Sequence, residues 1–430
     1  MNLPGEKSTE KHQHSMSYST TKPRLILHGG AGNITRDNLS PGRYALFDAA
    51  LRRIYRSAWA LLEKGATALD AATHAVTLFE DCELFNCGKG AVFTRDGTIE
   101  LEASVMVTRN YRKRACGVVL VKRVKNPIKL AREMLIRGET DGSSGNNGSN
   151  GDPSGGPGGA QGHCCLGGET VEKLAEEWGL EMVDKDYFWT KKRWDEHLQG
   201  LKGDMEEGEY LTQGTVGCVA LDRYGTLCVA TSTGGLTNKL SCRIGDTPTI
   251  GAGFWAEEWD ERPLERMARQ GHRAVSGSSM GLGNLADGLR NMLGDCIPNL
   301  SGYQSIPSLP TFSSEKEKSD RKIRAVAMSG TGNGDSFLRL AAVRTAGAIV
   351  RFSPERSLAS AVTQIVGQGG EMQRSAGDRW GSGEGVGGII GIELVDGKGD
   401  VVFDFNCGGM FRCWVDEMGK EMVMVFKEEY

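Results

Sequence analysis

The chain has 430 residues, of which 39% are hydrophobic and 25% charged, with a formal net charge of −4. That mixture can bury a core and excludes a wholly disordered chain, and the charge balance gives no general footprint for nucleic acid or an anionic membrane surface. No apolar run approaches the ~18 residues of a membrane span, and the first 22 residues are polar with no apolar signal core, so neither a membrane anchor nor a secretory leader is expected.

Glycine is the unusual number: 60 residues, about twice the ~7% average. It marks where chain order is interrupted. Residues 1–22 read as a disordered tail. Arg24 to Leu27 is a short apolar strand running into His-Gly-Gly-Ala-Gly. Residues 43–64 carry apolar side chains at 46, 47, 50, 51, 54, 58, 61 and 62, a helical spacing, with Gly65 placed to cap the end. A second helix follows over 69–84. Short strands are expected at 91–94, 99–107 and 117–121, then a helix at 127–137. From Gly138 to Gly168 twelve glycines are mixed with Ser and Asn, a linker composition that reads as an insertion.

A helix over 169–178 precedes a polar, charged stretch, 182–212, without a clear period. At Thr215 the character changes. Val216–Leu221 and Thr226–Thr231 are apolar strands around the turn Asp222-Arg223-Tyr224-Gly225, a hairpin signature. Residues 276–322 form a second polar insertion ending in SEKEKSDRK. A strand after Ile323, helices at 336–350 and 357–366, and strands at 389–395 and 400–405 complete the reading. Strands cluster, then helices, then strands, which argues for an α+β protein.

The eleven cysteines are scattered with no C-x-x-C pair, and the seven histidines form no H-E-x-x-H motif. A reducing, cytoplasmic compartment is expected, and a metal site built on side chains is not. The informative stretch is residues 213–253. It holds a Gly-Thr at a strand head, a strand ending in Ser-Thr-Gly-Gly, and Arg243 and Asp246 three apart in a loop. A guanidinium grips a carboxylate through two bonds and an aspartate accepts from an ammonium, so the pair suits a zwitterionic small molecule. A plain loop salt bridge fits the pair as well.

The whole pattern resembles the plant-type asparaginase and isoaspartyl peptidase family of N-terminal-nucleophile hydrolases. The resemblance rests on HGGAG (28–32), FNCGKG (85–90), GTVG (214–217), STGG (232–235), NK (238–239), RIGD (243–246) and TGNGD (331–335), in order along the chain. It implies a four-layer αββα sandwich. The single domain would be built from two fragments, 23–214 and 215–430, cut by the chain itself between Gly214 and Thr215. The freed α-amino group of Thr215 would then act as base to its own hydroxyl, so that nucleophile and base share one residue.

By the same resemblance Thr233 supports the nucleophile and Asn86 orients the free amine. Thr331 and Gly332 stabilise the oxyanion. Arg243 and Asp246 bind the substrate carboxylate and ammonium, with Gly334 in the same substrate site. No cofactor is implied. Main-chain oxygens at Phe79, Glu80, Cys82, Phe85, Cys87 and Lys89 are implied to wrap a structural sodium ion. The expected assembly is a homodimer of α/β heterodimers, acting on asparagine or β-aspartyl peptides and not on nucleic acid or membranes.

The sequence departs from the family pattern at several points. Glu102 stands where Asp is common, and Cys407 where a Thr is usual. Cys87 and Lys89 replace small or apolar residues. Three other readings stay open: an enzyme for glycan-linked asparagine, a threonine endopeptidase of the same family, and a nucleotide-binding protein using LILHGGAG or GSGEGVGG (381–388) as a phosphate loop. A non-catalytic scaffold whose Gly-rich insertion binds partners is a fourth.

Overall fold

The computed structural model describes residues 21–111, 114–139, 159–203, 214–261 and 322–428. Most of the expected tail and of both polar insertions lies outside the described residues; the last two tail residues, Thr21 and Lys22, are described, and Thr21 N donates to Arg223 O at 3.0 Å. Two units partition the chain: Asp260–Ile323, and the remainder, which carries the sheets and the site.

The first sheet contains β1 (Arg24–Gly32), β2 (Leu101–Val107), β3 (Ala115–Val121), β4 (Cys165–Gly167), β5 (Val216–Leu221), β6 (Leu227–Thr233), β11 (Gly409–Val415) and β12 (Glu421–Met424). Their order is β12-β11-β1-β5-β6-β2-β3-β4. The second contains β7 (Phe254–Asp260), β8 (Ile323–Gly332), β9 (Gly387–Val395) and β10 (Lys398–Phe405), ordered β10-β9-β8-β7.

Period-two alternation sorts the strand side chains into separate cores. On β5, Val216, Cys218 and Ala220 face outward into a core with α1 (Pro41–Glu63), α2 (Ala68–Glu80) and α3 (Pro127–Arg137), while Val219 and Leu221 face the second sheet. On β8, Ala325 and Ala327 face the first sheet. Val326 and Met328 face α6 (Gly334–Leu340), α7 (Ala342–Phe352), α8 (Leu358–Val366) and α9 (Glu371–Ala376). The result is helix, sheet, sheet, helix: the four-layer αββα sandwich. Each fully buried aliphatic side chain adds about 1.5–3 kcal/mol relative to exposure.

Several expectations change. Residues 91–94 are not a strand: Thr94 makes one isolated bridge, to Lys239. The helix expected at 336–350 is two helices, because Ala341 takes a left-handed conformation (φ 45°) between α6 and α7. α2 ends at Glu80, short of 84. The Gly-rich insertion is shorter than expected, since Cys165–Gly167 pairs in parallel with β3 and Gly168 opens α4 (Gly168–Glu177).

Polar 182–212 contains α5 (Lys191–Lys202), whose buried face is Arg193 and His197 rather than aliphatic residues, so no apolar period betrays it. β7 went unread because its face toward the helices is charged and aromatic (Trp255, Glu257, Trp259). β11 and β12 extend the chain past the last expected strand. Arg412 interrupts β11's apolar run and is itself buried, with its guanidinium 4.6 Å from the Phe403 ring and 4.7 Å from the Phe405 ring. Among the described residues, no helix is long and apolar enough to cross a membrane.

Candidate active site

Thr215 precedes β5 by one residue and is 6% exposed. The hairpin register sets Val216 against Ser232, and Thr233 against Glu102 on β2, so Thr215, Thr233 and Glu102 gather at one end of the first sheet. The second sheet brings β8 to the same place. A β-carbon on Gly214 would collide with the Thr331 hydroxyl and stand 3.3 Å from the Gly332 amide nitrogen. On the other side lies Gly30, in the irregular stretch of β1. Its φ of +113° is open to glycine, and an added β-carbon would stand 2.9 Å from the Gly214 nitrogen. The Gly214–Thr215 peptide is thus held between β1 and the end of β8.

A cavity of about 800 Å³ opens over this peptide. Thr215, Thr233, Glu102, Arg243, Asp246, Gly332 and Gly334 line it, together with Asn33, Trp380 and Cys407. Arg243 and Asp246 converge on Gly334: a β-carbon there would lie 2.6 Å from Asp246 Oδ1 and 2.9 Å from Arg243 Nη2. Arg243 also pairs with Asp335 at 3.0 Å. The charged side chains of the wall, Glu102, Arg243 and Asp246, form one group. The stretch from Trp380 to Gly383, with Asn33 and Cys407, is uncharged.

Burial controls the electrostatics. Asp246 is 5% exposed, its Oδ2 has no partner, and desolvation pushes its carboxyl up to about 7, with nearby Glu102 adding to the rise and Arg243 opposing it. Burial likewise raises Glu102, against the pull of Lys239 and Arg243. The Glu102 carboxylate accepts from the Gly245 amide at 3.1 Å and so sets the turn between Arg243 and Asp246. Sequence reading noticed Glu102 only as a departure and missed this role.

The structure also shows where the other named residues sit. Thr215 Oγ lies 2.7 Å from Thr247 Oγ, while the Thr233 hydroxyl accepts from the Gly235 amide at 3.0 Å. Thr331 Oγ accepts from Ala31 N at 3.3 Å. Asn86 donates to Gly235 O at 2.7 Å and accepts from Val92 N at 3.1 Å, so its amide braces the turn after Thr233. No sequence signal singled out Thr247.

Loop 79–90 is tightly wound. The carbonyl oxygens of Glu80, Glu83 and Phe85 crowd onto Gly88 and Gly90, and Gly90 O accepts from the buried Arg193. The Glu80 carboxyl turns inward, accepting from Ser232 Oγ at 2.7 Å and Ile128 N at 3.0 Å, and burial raises it to about 8. Among the described residues, no three of His, Cys, Asp and Glu gather as a metal site.

The phosphate-loop alternative fails on structure. HGGAG lies inside β1, and the second segment runs into strand β9 (Gly387–Val395); neither opens a helix as a phosphate cradle requires. Asn406 ties GSGEGVGG down through Gly385 O and Gly387 N, both at 2.9 Å, as cavity wall.

Two stacked sheets between helix layers, with a buried threonine heading the interior strand β5, define the N-terminal-nucleophile type of sandwich. A family model described as asparaginase matches residues 21–141 and 159–259. An isoaspartyl peptidase of Salmonella typhimurium is 30% identical over 401 residues, spanning 91% of this chain and 95% of its own length. That of Escherichia coli is 29% identical, over 91% and 92%. An isoaspartyl peptidase/L-asparaginase of Danio rerio is 34% identical over 55% of this chain and 67% of its own length. The chain belongs to the asparaginase family.

Proposed function

We propose that this chain is a self-processing amidohydrolase that cleaves the side-chain amide of asparagine and the β-aspartyl bond of isoaspartyl peptides. The observation that carries it is the shared cavity of Thr215, the Arg243/Asp246 pair and the Gly332 amide. In the first stage Thr215 Oγ attacks the Gly214 carbonyl carbon. The C–N bond breaks, the nitrogen takes the hydroxyl proton, and water hydrolyses the resulting ester. The new α-amino group has a reference pKa of ~7.7–8.0, so part of it is neutral near pH 7 and can take the proton from Thr215 Oγ.

In the second stage Arg243 holds the substrate carboxylate and Asp246 its ammonium. Thr215 attacks the side-chain amide, and the leaving amine takes the proton. Water then releases aspartate. The Thr331 hydroxyl and Gly332 N–H face the developing oxyanion, and one such donor contributes ~2.7–4 kcal/mol. Thr233 and Asn86 support the turn beside the nucleophile. The cavity volume and its uncharged wall favour a leaving group larger than ammonia, hence a β-aspartyl peptide alongside asparagine.

Loop 79–90 would take a hard monovalent cation on the main-chain oxygens of Phe79, Glu80, Cys82, Phe85, Cys87 and Lys89. Sodium held there by main-chain oxygens would brace the loop that carries Asn86. A homodimer of cut chains in the cytoplasm completes the reading; the ten described cysteines are all free, which fits a reducing compartment.

A denaturing gel with N-terminal sequencing tests the first stage. Two fragments are expected, one beginning Thr-Val-Gly-Cys, and Thr215→Ala should stay intact and inactive. Asparagine, a β-aspartyl dipeptide and a glycan-linked asparagine test the second. Turnover of the glycan-linked compound alone would refute the substrate assignment.

A further inference from the structure

We propose that Thr247 is a positioning residue for the Thr215 hydroxyl during self-cleavage. This rests on the self-processing reading above. In the continuous chain the hydroxyl partner of Thr215 is Thr247, at 2.7 Å, and both residues are buried. Thr247 is unusually well fixed. Its carbonyl accepts from Ser104 Oγ at 2.7 Å, and Ser104 Oγ lies 2.5 Å from Thr231 Oγ, so β2 and β6 hold the Thr247 backbone together. Pro248 follows and locks one further backbone angle.

The geometry matters most before the cut. The nitrogen of Thr215 is then an amide and cannot serve as base, and the amine that later aligns the hydroxyl does not exist. The hydroxyl must still be held in one rotamer facing the Gly214 carbonyl, because a threonine side chain has three staggered wells. The neighbouring Thr233 hydroxyl bonds the turn, accepting from the Gly235 amide, whereas the Thr247 hydroxyl lies 2.7 Å from Thr215 Oγ. Thr247 therefore holds the nucleophile in the precursor. It also follows Asp246 directly, so the loop that binds the substrate ammonium and the group that aligns the nucleophile are one rigid piece.

The test follows the cut over time on a denaturing gel for the wild-type chain, Thr247→Val and Thr247→Ser, with thermal melts of each. Valine keeps the shape and removes the hydroxyl; serine keeps the hydroxyl. Thr247→Val is expected to cut at least tenfold more slowly at an unchanged melting temperature, and Thr247→Ser within about threefold of wild type. Thr247→Val cutting at the wild-type rate overturns the role. If valine lowers the melting temperature, serine decides: a tenfold loss in a stably folded Thr247→Ser also overturns it. A wild-type chain that never cuts refutes the self-processing reading and this role with it.

Discussion

The pH dependence of catalysis should separate Asp246 from the Thr215 amine. Asp246 stands near 7 because it is desolvated, with Glu102, Arg243 and Asp335 as its charged neighbours. Only its ionised form attracts a substrate ammonium. In the free enzyme, lowering the pH from 7 to 5 takes a group of pKa near 7 from half ionised to about 1%, a loss of about 50-fold, or about 2.3 kcal/mol. The Thr215 amine, with a reference pKa of ~7.7–8.0, loses about 100-fold of its neutral form over the same interval.

Once substrate is bound, its ammonium holds Asp246 ionised, so kcat reports the amine alone while kcat/KM reports both groups. Between pH 7 and 5, kcat should therefore fall about 100-fold and kcat/KM about 5,000-fold. Asp246→Asn removes one limb: its kcat/KM should run parallel to kcat in acid, at an overall loss of about 2–5 kcal/mol in binding at pH 8. Steady-state kinetics with asparagine from pH 5 to 9 measures this. Wild-type profiles of equal slope, or an Asn variant that keeps the steeper limb, would refute the assignment of Asp246.

Two further outcomes are expected. Arg243→Ala should still self-cleave, since Arg243 pairs with Asp335 rather than with the scissile peptide, but KM for asparagine should rise about 13- to 160-fold, equivalent to the ~1.5–3 kcal/mol of a hydrogen bond to a charged group; a block in cleavage would contradict this. Glu80 has a folded pKa of about 8 against 4.5 unperturbed, so the folded chain keeps a proton that the unfolded chain loses, and stability falls as pH rises between those values by at most ~1.4 kcal/mol per unit. Glu80→Gln, which can accept the same bonds from Ser232 and Ile128, should flatten that decline in urea melts from pH 5 to 9, and parallel curves would refute it.

The strands that frame the site were legible because they are short, near-continuous apolar runs joined by a turn. Val216–Leu221 and its hairpin partner show apolar residues on both faces, which fits a sheet covered on both sides. α5 was not, because its buried face is Arg193 and His197, held by Gly90 O and the Asn238 side chain. The break at Ala341 was equally hidden: alanine is a strong helix former, and only packing forces it to a φ of 45°.

By itself the sequence determined the class of protein. The order of its glycine-flanked motifs, the threonine at a strand head and the two-sided strands are local facts, readable one segment at a time. Only the tertiary structure decided which partners those residues take. Thr247 reaches Thr215 from 32 positions away, Glu102 reaches Gly245 from 143, and Asn86 reaches Gly235 from 149. Strand register and the stacking of the sheets set these contacts. A hydroxyl or amide has a specific neighbour only once its desolvated surroundings are fixed, and no periodicity along the chain encodes that.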